Sequence, residues 1–297
     1  MDRDAAEQWI RAYVTPTGDV ETAHERPWST VLRVPLAKGV MWFKACSPVQ
    51  AFEPRLTAEL FARWPDLVPE VVAYDEERAW LLLADGGTRI ADLGNPPELW
   101  AEVLPRYAEL QRGEGANSVD HLSHGVPDLR VPSMPARYEE LLGEDLPLEE
   151  AEIDRLRGFQ SRFEAECAEL ATAGVADTIQ HDDLHMNNVF ERDGRLRVLD
   201  WGDTSVSHPF MSLLATFRFL EDRNGLAPED PWFTRLRDAY LEPWGGELAD
   251  TFALAAHVGA FAHAIAELRQ RAALDERERQ DFDEDFAVRL RRALRNV

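Results

Sequence analysis

Lysine is almost missing from this chain: of 32 basic residues, only Lys38 and Lys44 are lysine. A lysine placed inside a strand pattern, as Lys44 is, therefore needs a chemical reason. Cysteine is equally scarce. Cys46 and Cys167 are the only two, which excludes a disulfide framework and any CxxC redox or zinc pair. Basic charge of either kind is outnumbered, with 55 Asp and Glu giving a formal net charge of -23. Such a surface repels phosphate backbones and anionic headgroups, so neither nucleic acid nor membrane is an expected partner. The acidity serves solubility first, and it leans toward a cationic substrate second. The longest apolar run, residues 251–266, is shorter than a bilayer span and carries His257 and His263. The first seven residues are acidic and contain no apolar signal core. The expectation is a soluble, cytoplasmic protein. No repeat, low-complexity tract or GxGxxG phosphate loop is present.

The chain has 297 residues, 45% of them hydrophobic. At about 100–200 residues per domain, this suggests two domains or one bilobal unit. The early chain reads as strands and turns. Residues 29–36 and 40–46 form a predicted hairpin around Ala37-Lys38-Gly39, and residues 68–74 and 79–84 are two further strands. Between them, residues 52–64 have helical spacing. Asp85-Gly86-Gly87 is a natural hinge. Helical periodicity then dominates, over 97–112, 137–142, 149–173, 211–220, 232–241, 248–273 and 282–295. The expected fold class is α+β: a small β-rich lobe, residues 1–86, and a large mainly helical lobe, residues 87–297.

One β island, near residues 188–200, interrupts the helices. Asp193-Gly194 between two apolar strands is a strong hairpin signal. An antiparallel hairpin sets the start of its first strand beside the end of its second, so Asn188 and Asp200 become neighbours. Asp183 lies in the loop just before. One amide oxygen and carboxylates suit a hard cation such as Mg²⁺, which takes few protein ligands and shares phosphates with them. Phosphoryl transfer needs little else: a group to orient the attacking hydroxyl and a cation on the other phosphates. A His-x-Asp-x-x-x-x-Asn loop supplies the first, and His181, Asp183 and Asn188 meet that spacing. Lys44 supplies the second and needs a helix glutamate to hold it. Glu53 and Glu59 both lie in the following helix; Glu53 is favoured, with Pro54 suiting an early helical position.

At these residues the chain resembles the aminoglycoside phosphotransferase family, within the protein-kinase-like fold. The family's His-Gly-Asp-Leu-His-Pro-Gly-Asn corresponds to His-Asp-Asp-Leu-His-Met-Asn-Asn at 181–188, and its Ile-Asp-Trp-Gly-Asp to residues 199–203. The strand with Lys44, the Val68-Pro69-Glu70-Val71 stretch and Tyr107-Ala108-Glu109-Leu110-Gln111 agree in order and spacing. The resemblance implies ATP or GTP as donor and Asp183 as catalytic base or hydroxyl orienter. It implies Mg²⁺ on Asn188 and Asp200, nucleotide phosphates on Lys44 and a helix glutamate, and the purine against the backbone near Leu83 and Ala84. His181 and His185 would brace the loop. The acceptor would be a small hydroxyl compound, aminoglycoside-like or another cationic or antibiotic molecule, which makes a role in antibiotic resistance an expectation too. Asp203 with Glu221 or Asp222 is the expected acceptor-pocket lining. Asp182, Met186 and Asn187 depart from the family's Gly, Pro and Gly.

Two other readings compete. His181-Asp182-Asp183-Leu184-His185 imitates a zinc-hydrolase motif, which requires both histidines on one helical face. A catalytically inactive nucleotide-binding module would usually lack the lysine, the loop aspartate or the metal aspartate, and all three are present.

Overall fold

The computed structural model describes residues 1–296. The chain divides into two compact units, one formed by residues 1–103 with 185–203, the other by 104–184 with 204–297.

In the first unit, helix α1 (Arg3–Tyr13) precedes strands β1 (Glu21–Arg26), β2 (Ser29–Pro35) and β3 (Val40–Cys46). Helix α2 (Glu53–Arg63) and strands β4 (Val71–Asp75) and β5 (Trp80–Ala84) follow. The five strands form one antiparallel sheet in the order β1-β2-β3-β5-β4. Side chains alternate across a strand, so Phe43 and Ala45 share one face of β3 while Lys44 and Cys46 share the other. The Phe43 face is apolar and packs with Leu32, Val34, Trp80 and Leu82 against Ala6 and Ile10 of α1. Neither α1 nor β1 is among the elements expected from the sequence, although α1 is amphipathic, with Ala6 and Ile10 on its buried face. All six residues of β1 are exposed, so its pairing to β2, and not burial of a face, makes it a strand.

The expected boundary at residue 86 does not separate the units. Strand β6 (Thr88–Arg89) pairs with the island hairpin, and the division falls at Val103, inside helix α3 (Pro97–Glu114). Backbone bonds from Ile90 to Val189 O (2.9 Å), Ala91 to Met186 O (3.0 Å) and Val198 to Leu67 O (2.8 Å) stitch the island into the first unit. Gly87 (φ +102°) is required here, because a Cβ would stand 2.2 Å from Glu191 O.

The second unit holds α4 (Ser118–Ser123), α5 (Met134–Gly143), α6 (Glu150–Ala171) and strand β7 (Thr178–Gln180). In the first unit, strands β8 (Val189–Arg192) and β9 (Arg195–Val198) make up the island. Strand β10 (Ser205–Ser207) then returns to pair antiparallel with β7. Helices α7 (Leu213–Asn224), α8 (Pro231–Leu241), α9 (Ala249–Ala273) and α10 (Glu276–Ala293) complete the second unit. α9 is long and apolar enough to cross a membrane by length and composition. Here it serves as the packing partner of α5, α6, α7 and α10. Tyr138, Phe159, Phe163 and Phe261 form an aromatic cluster between α5, α6 and α9. α10 begins six residues before its expected start, because its first turns are acidic and their capping box (Asp275 with Glu278) leaves no apolar stripe to read.

Candidate active site

The loop carrying Asp183 is held by buried polar contacts from three elements of the second unit. Tyr107 and Gln111 stand one helical turn apart on α3. The Tyr107 hydroxyl accepts from the His181 amide at 2.9 Å, and Gln111 Nε2 donates to Ile179 O at 2.9 Å. The Tyr240 hydroxyl fixes Gln111 in turn, donating to its Oε1 at 2.6 Å. On α7, Thr216 Oγ1 donates to Leu184 O at 2.6 Å. This explains the Tyr107–Gln111 stretch: the two residues clamp the strand leading into the loop.

Asp182 adopts φ +61°, a left-handed conformation that glycine takes without cost and that aspartate tolerates better than most residues. Its buried carboxylate accepts from Gln180 Nε2 and from Ser205 Oγ, both at 2.5 Å. Burial pushes this carboxyl up to about 7, with Ser205 pulling the other way and the charge of Asp183 adding to the rise. The folded chain thus keeps a proton that the unfolded chain releases near 3.8, so stability falls as pH rises from about 4 to 7. The span corresponds to about 4 kcal/mol at 1.36 kcal/mol per pH unit. Asp182→Asn is expected to flatten that part of the curve and to be the more stable protein at pH 8. Denaturant unfolding at pH 5 and pH 8 reads this directly, and a variant curve parallel to the parent's would contradict it.

In the first unit, Asp193 (φ +54°) and Gly194 (φ +71°) form a two-residue turn with both central residues left-handed, the type that matches the twist of a hairpin. Val189 pairs with Val198, and Leu199 N–H donates to Asn188 O at 2.8 Å. Asn188 thereby lies beside Leu199, one residue before Asp200, at the open end of the hairpin. Asp200 is itself left-handed (φ +65°), a conformation that aspartate holds only where its surroundings demand it. The next three residues form a 3-10 turn. Trp201 is buried and donates to Val198 O, a packing role. Gly202 lies against Gln50: a Cβ there would be 2.7 Å from the Gln50 amide carbon, and Gln50 Nε2 donates to Asp203 Oδ1 at 2.9 Å. Gln50 was not legible as a site residue, since nothing in its local sequence marks it.

Lys44 meets this end of the hairpin. Its Nζ lies 2.6 Å from Glu53 Oε2 and 2.5 Å from Asp200 Oδ1. Glu53, and not Glu59, is the partner; Glu59 is engaged with Arg55 and Arg63. Glu53 is buried in the first turn of α2, where the helix dipole favours a carboxylate. Burial alone would lower the Lys44 ammonium, but Asp200 and Glu53 hold it well above its usual value. Burial raises the Glu53 carboxyl, with Lys44 pulling it back. Cys46, two residues from Lys44 on the same strand face, donates its thiol to Glu53 Oε2 at 3.3 Å. That contact also escaped sequence reading.

Asn188 and Asp200 offer one buried amide and one half-exposed carboxylate. This donor set fits Mg²⁺, which completes its octahedron with waters and phosphate oxygens, and it is too small for a metal held by protein alone. Among the described residues no group of three or more His, Cys, Asp or Glu could hold a metal. The zinc-hydrolase reading fails on local structure, because residues 181–188 contain no helix to present two histidines from one face. His185 Nδ1 instead accepts from the Asn187 amide at 3.1 Å. Leu83 and Ala84 end β5, and the Ala84 N–H is used on Glu70 O at 2.9 Å, so that donor is not available to a base. Glu221 and Asp222 are both engaged by Arg292.

No family model matches the sequence, and no curated protein sequence matches it. Solved structures do match. The choline kinase LicA from Streptococcus pneumoniae superposes with a TM-score of 0.65 at 14% identity, covering 100% of this chain and 99% of that one. The GDP complex of aminoglycoside 2'-phosphotransferase-IIIa gives 0.67 at 15%, covering 99% and 97%. Macrolide 2'-phosphotransferase type I gives 0.62 at 12%, covering 96% of each. The chain has the α+β fold of these aminoglycoside phosphotransferases and choline and ethanolamine kinases.

Proposed function

We propose that this chain is a cytoplasmic small-molecule kinase that moves the γ-phosphoryl group of ATP or GTP to a hydroxyl. One observation carries the reading: a single buried ammonium, Lys44 Nζ, touches both a helix glutamate and the aspartate that closes the island hairpin. A kinase needs a cation there for the nucleotide phosphates, oriented by the glutamate and beside the metal aspartate. A strand lysine with only a structural role has no use for two acids, one of them half-exposed.

In this reading the acceptor oxygen attacks the γ-phosphorus and the bond to the β–γ bridging oxygen breaks, so the nucleoside diphosphate leaves. Asp183 orients the acceptor hydroxyl and takes its proton. Lys44 pairs with the α- and β-phosphates while Glu53 holds its position. Asn188 and Asp200 would hold Mg²⁺, which would supply positive charge to the nucleotide phosphates. The backbone beside Leu83 and Ala84 meets the purine. Asp183 stands five residues before Asn188 in the chain, which supports their acting on one nucleotide.

The test is a screen of hydroxyl compounds for a mass gain of one phosphate, run with Mg²⁺ and either ATP or GTP, alongside a direct binding titration. Mg²⁺-dependent nucleotide binding with at least one phosphorylated acceptor is expected. Binding without any transfer would favour the inactive module, and neither would sink the reading.

A further inference from the structure

The second unit contains a cavity of about 370 Å³ between α7, α9 and α10, within the size range of small-molecule sites. Its walls are five alanines and Leu214, and its polar groups are Arg218, His257, His263, Arg289 and Arg292. Among the described residues no carboxylate lines it. In a chain with 55 acidic residues that is a sharp local inversion of charge.

Four of the five basic groups are answered by acids from behind the wall. His257 Nδ1 lies 2.6 Å from Glu166, His263 3.7 Å from Glu267, Arg289 2.7 Å from Glu267, and Arg292 3.2 Å from Asp222 with Glu221 on its other arm. Arg218 is different. Among the described residues its guanidinium has no hydrogen bond and no ion pair; it lies over the Phe219 ring, at 5.1 Å. Burial lowers its guanidinium, and Asp183 is the first charge that acts to raise it. A partly buried guanidinium without a carboxylate is costly to stability and is the kind of local rule-breaking that functional sites retain.

The α7 wall of the cavity is tied to the loop that carries Asp183. Thr216, two residues before Arg218, is bonded to Leu184 O, and the charge of Asp183 acts on both Arg218 and His263. We propose that this cavity is the acceptor site and that the acceptor is an anionic hydroxyl compound, its carboxylate or phosphate taken by the Arg218 fork. This rests on the phosphotransferase reading above and reverses the cationic acceptor that the bulk charge suggests. A planar guanidinium matches either oxyanion through two parallel hydrogen bonds. The alanine walls leave room for a compact carbon skeleton between the anion and the hydroxyl presented to Asp183.

Binding and mass-gain assays on four charge classes test this: hydroxy acids such as glycerate, phosphate esters such as glycerol 3-phosphate, cations such as choline and kanamycin, and neutral sugars. Saturable binding by hydroxy acids or phosphate esters, without nucleotide, is expected, and the better arm distinguishes carboxylate from phosphate. Arg218→Gln should weaken that binding and raise the acceptor KM by about 10- to 100-fold, with the nucleotide KM unmoved. Arg218→Lys should recover part of the loss, because the charge returns without the fork. Preference for choline, kanamycin or a neutral sugar, or no anion binding at all, overturns the proposal. So does a rise in nucleotide KM in Arg218→Gln, which would place Arg218 on the transferring phosphate. Because anion binding is read without nucleotide, its failure is distinguishable from a failure of phosphoryl transfer.

Discussion

Replacing Asp183 by alanine is expected to lower kcat by about 10²- to 10⁴-fold, the usual contribution of a positioned general base. Nucleotide affinity should change little, because the proposed phosphate and metal contacts belong to Lys44, Asn188 and Asp200. Single-turnover kinetics with an isothermal nucleotide titration separate the two effects. A variant that retains parental kcat would remove Asp183 from the chemistry, and one that loses nucleotide binding would assign it to the metal.

Lys44→Met should abolish transfer and also cost about 3–5 kcal/mol of stability, because it leaves Glu53 buried with no counter-ion. That cost depends on pH in a definite direction. Burial already raises the Glu53 carboxyl, and loss of Lys44 removes the group that pulls it down. Its folded pKa then lies further above the unfolded value. The destabilisation is therefore small at acidic pH, where Glu53 is protonated, and grows as pH rises through the folded value. Adding Glu53→Gln to Lys44→Met should restore much of the stability and none of the activity. Chemical denaturation of the two variants at pH 5 and pH 8 checks this. If the double variant is no more stable than the single one at pH 8, the unpaired carboxylate is not the cause.

The double variant also isolates what Asp200 contributes. Asp200 is half-exposed, so solvent screens its pairing with Lys44 and that contact adds little to stability. Its left-handed backbone costs stability instead. Asp200 is thus held in place by the hairpin register and the buried 3-10 turn that follows, rather than by its ion pair.

Local chemistry was readable from the sequence wherever neighbouring residues determine geometry. Asp193-Gly194 dictates a tight turn, and the turn sets Asn188 beside Leu199, one residue before Asp200, with no distant residue involved. Lys44 stood out because lysine is otherwise nearly absent, and the β2–β3 hairpin set its register through Gly39 (φ +82°). Helices with an apolar stripe were also readable. Elements without one, such as the wholly exposed β1 and the acidic start of α10, were not, because pairing or capping forms them rather than burial.

Tertiary structure alone decided everything that depends on residues far apart in the chain meeting. It set the first turn of α2 on the Lys44 face of β3, where Glu53, the glutamate the sequence already favours over Glu59, meets the ammonium. It joined the island to the first unit through β6, because backbone donors there find partners beyond residue 86. It decided the character of the cavity too. Net charge is a sum over the whole surface, whereas an acceptor meets only the groups that line its site. Folding placed the acids behind the cavity wall and left Arg218 facing in, an arrangement that no composition reports.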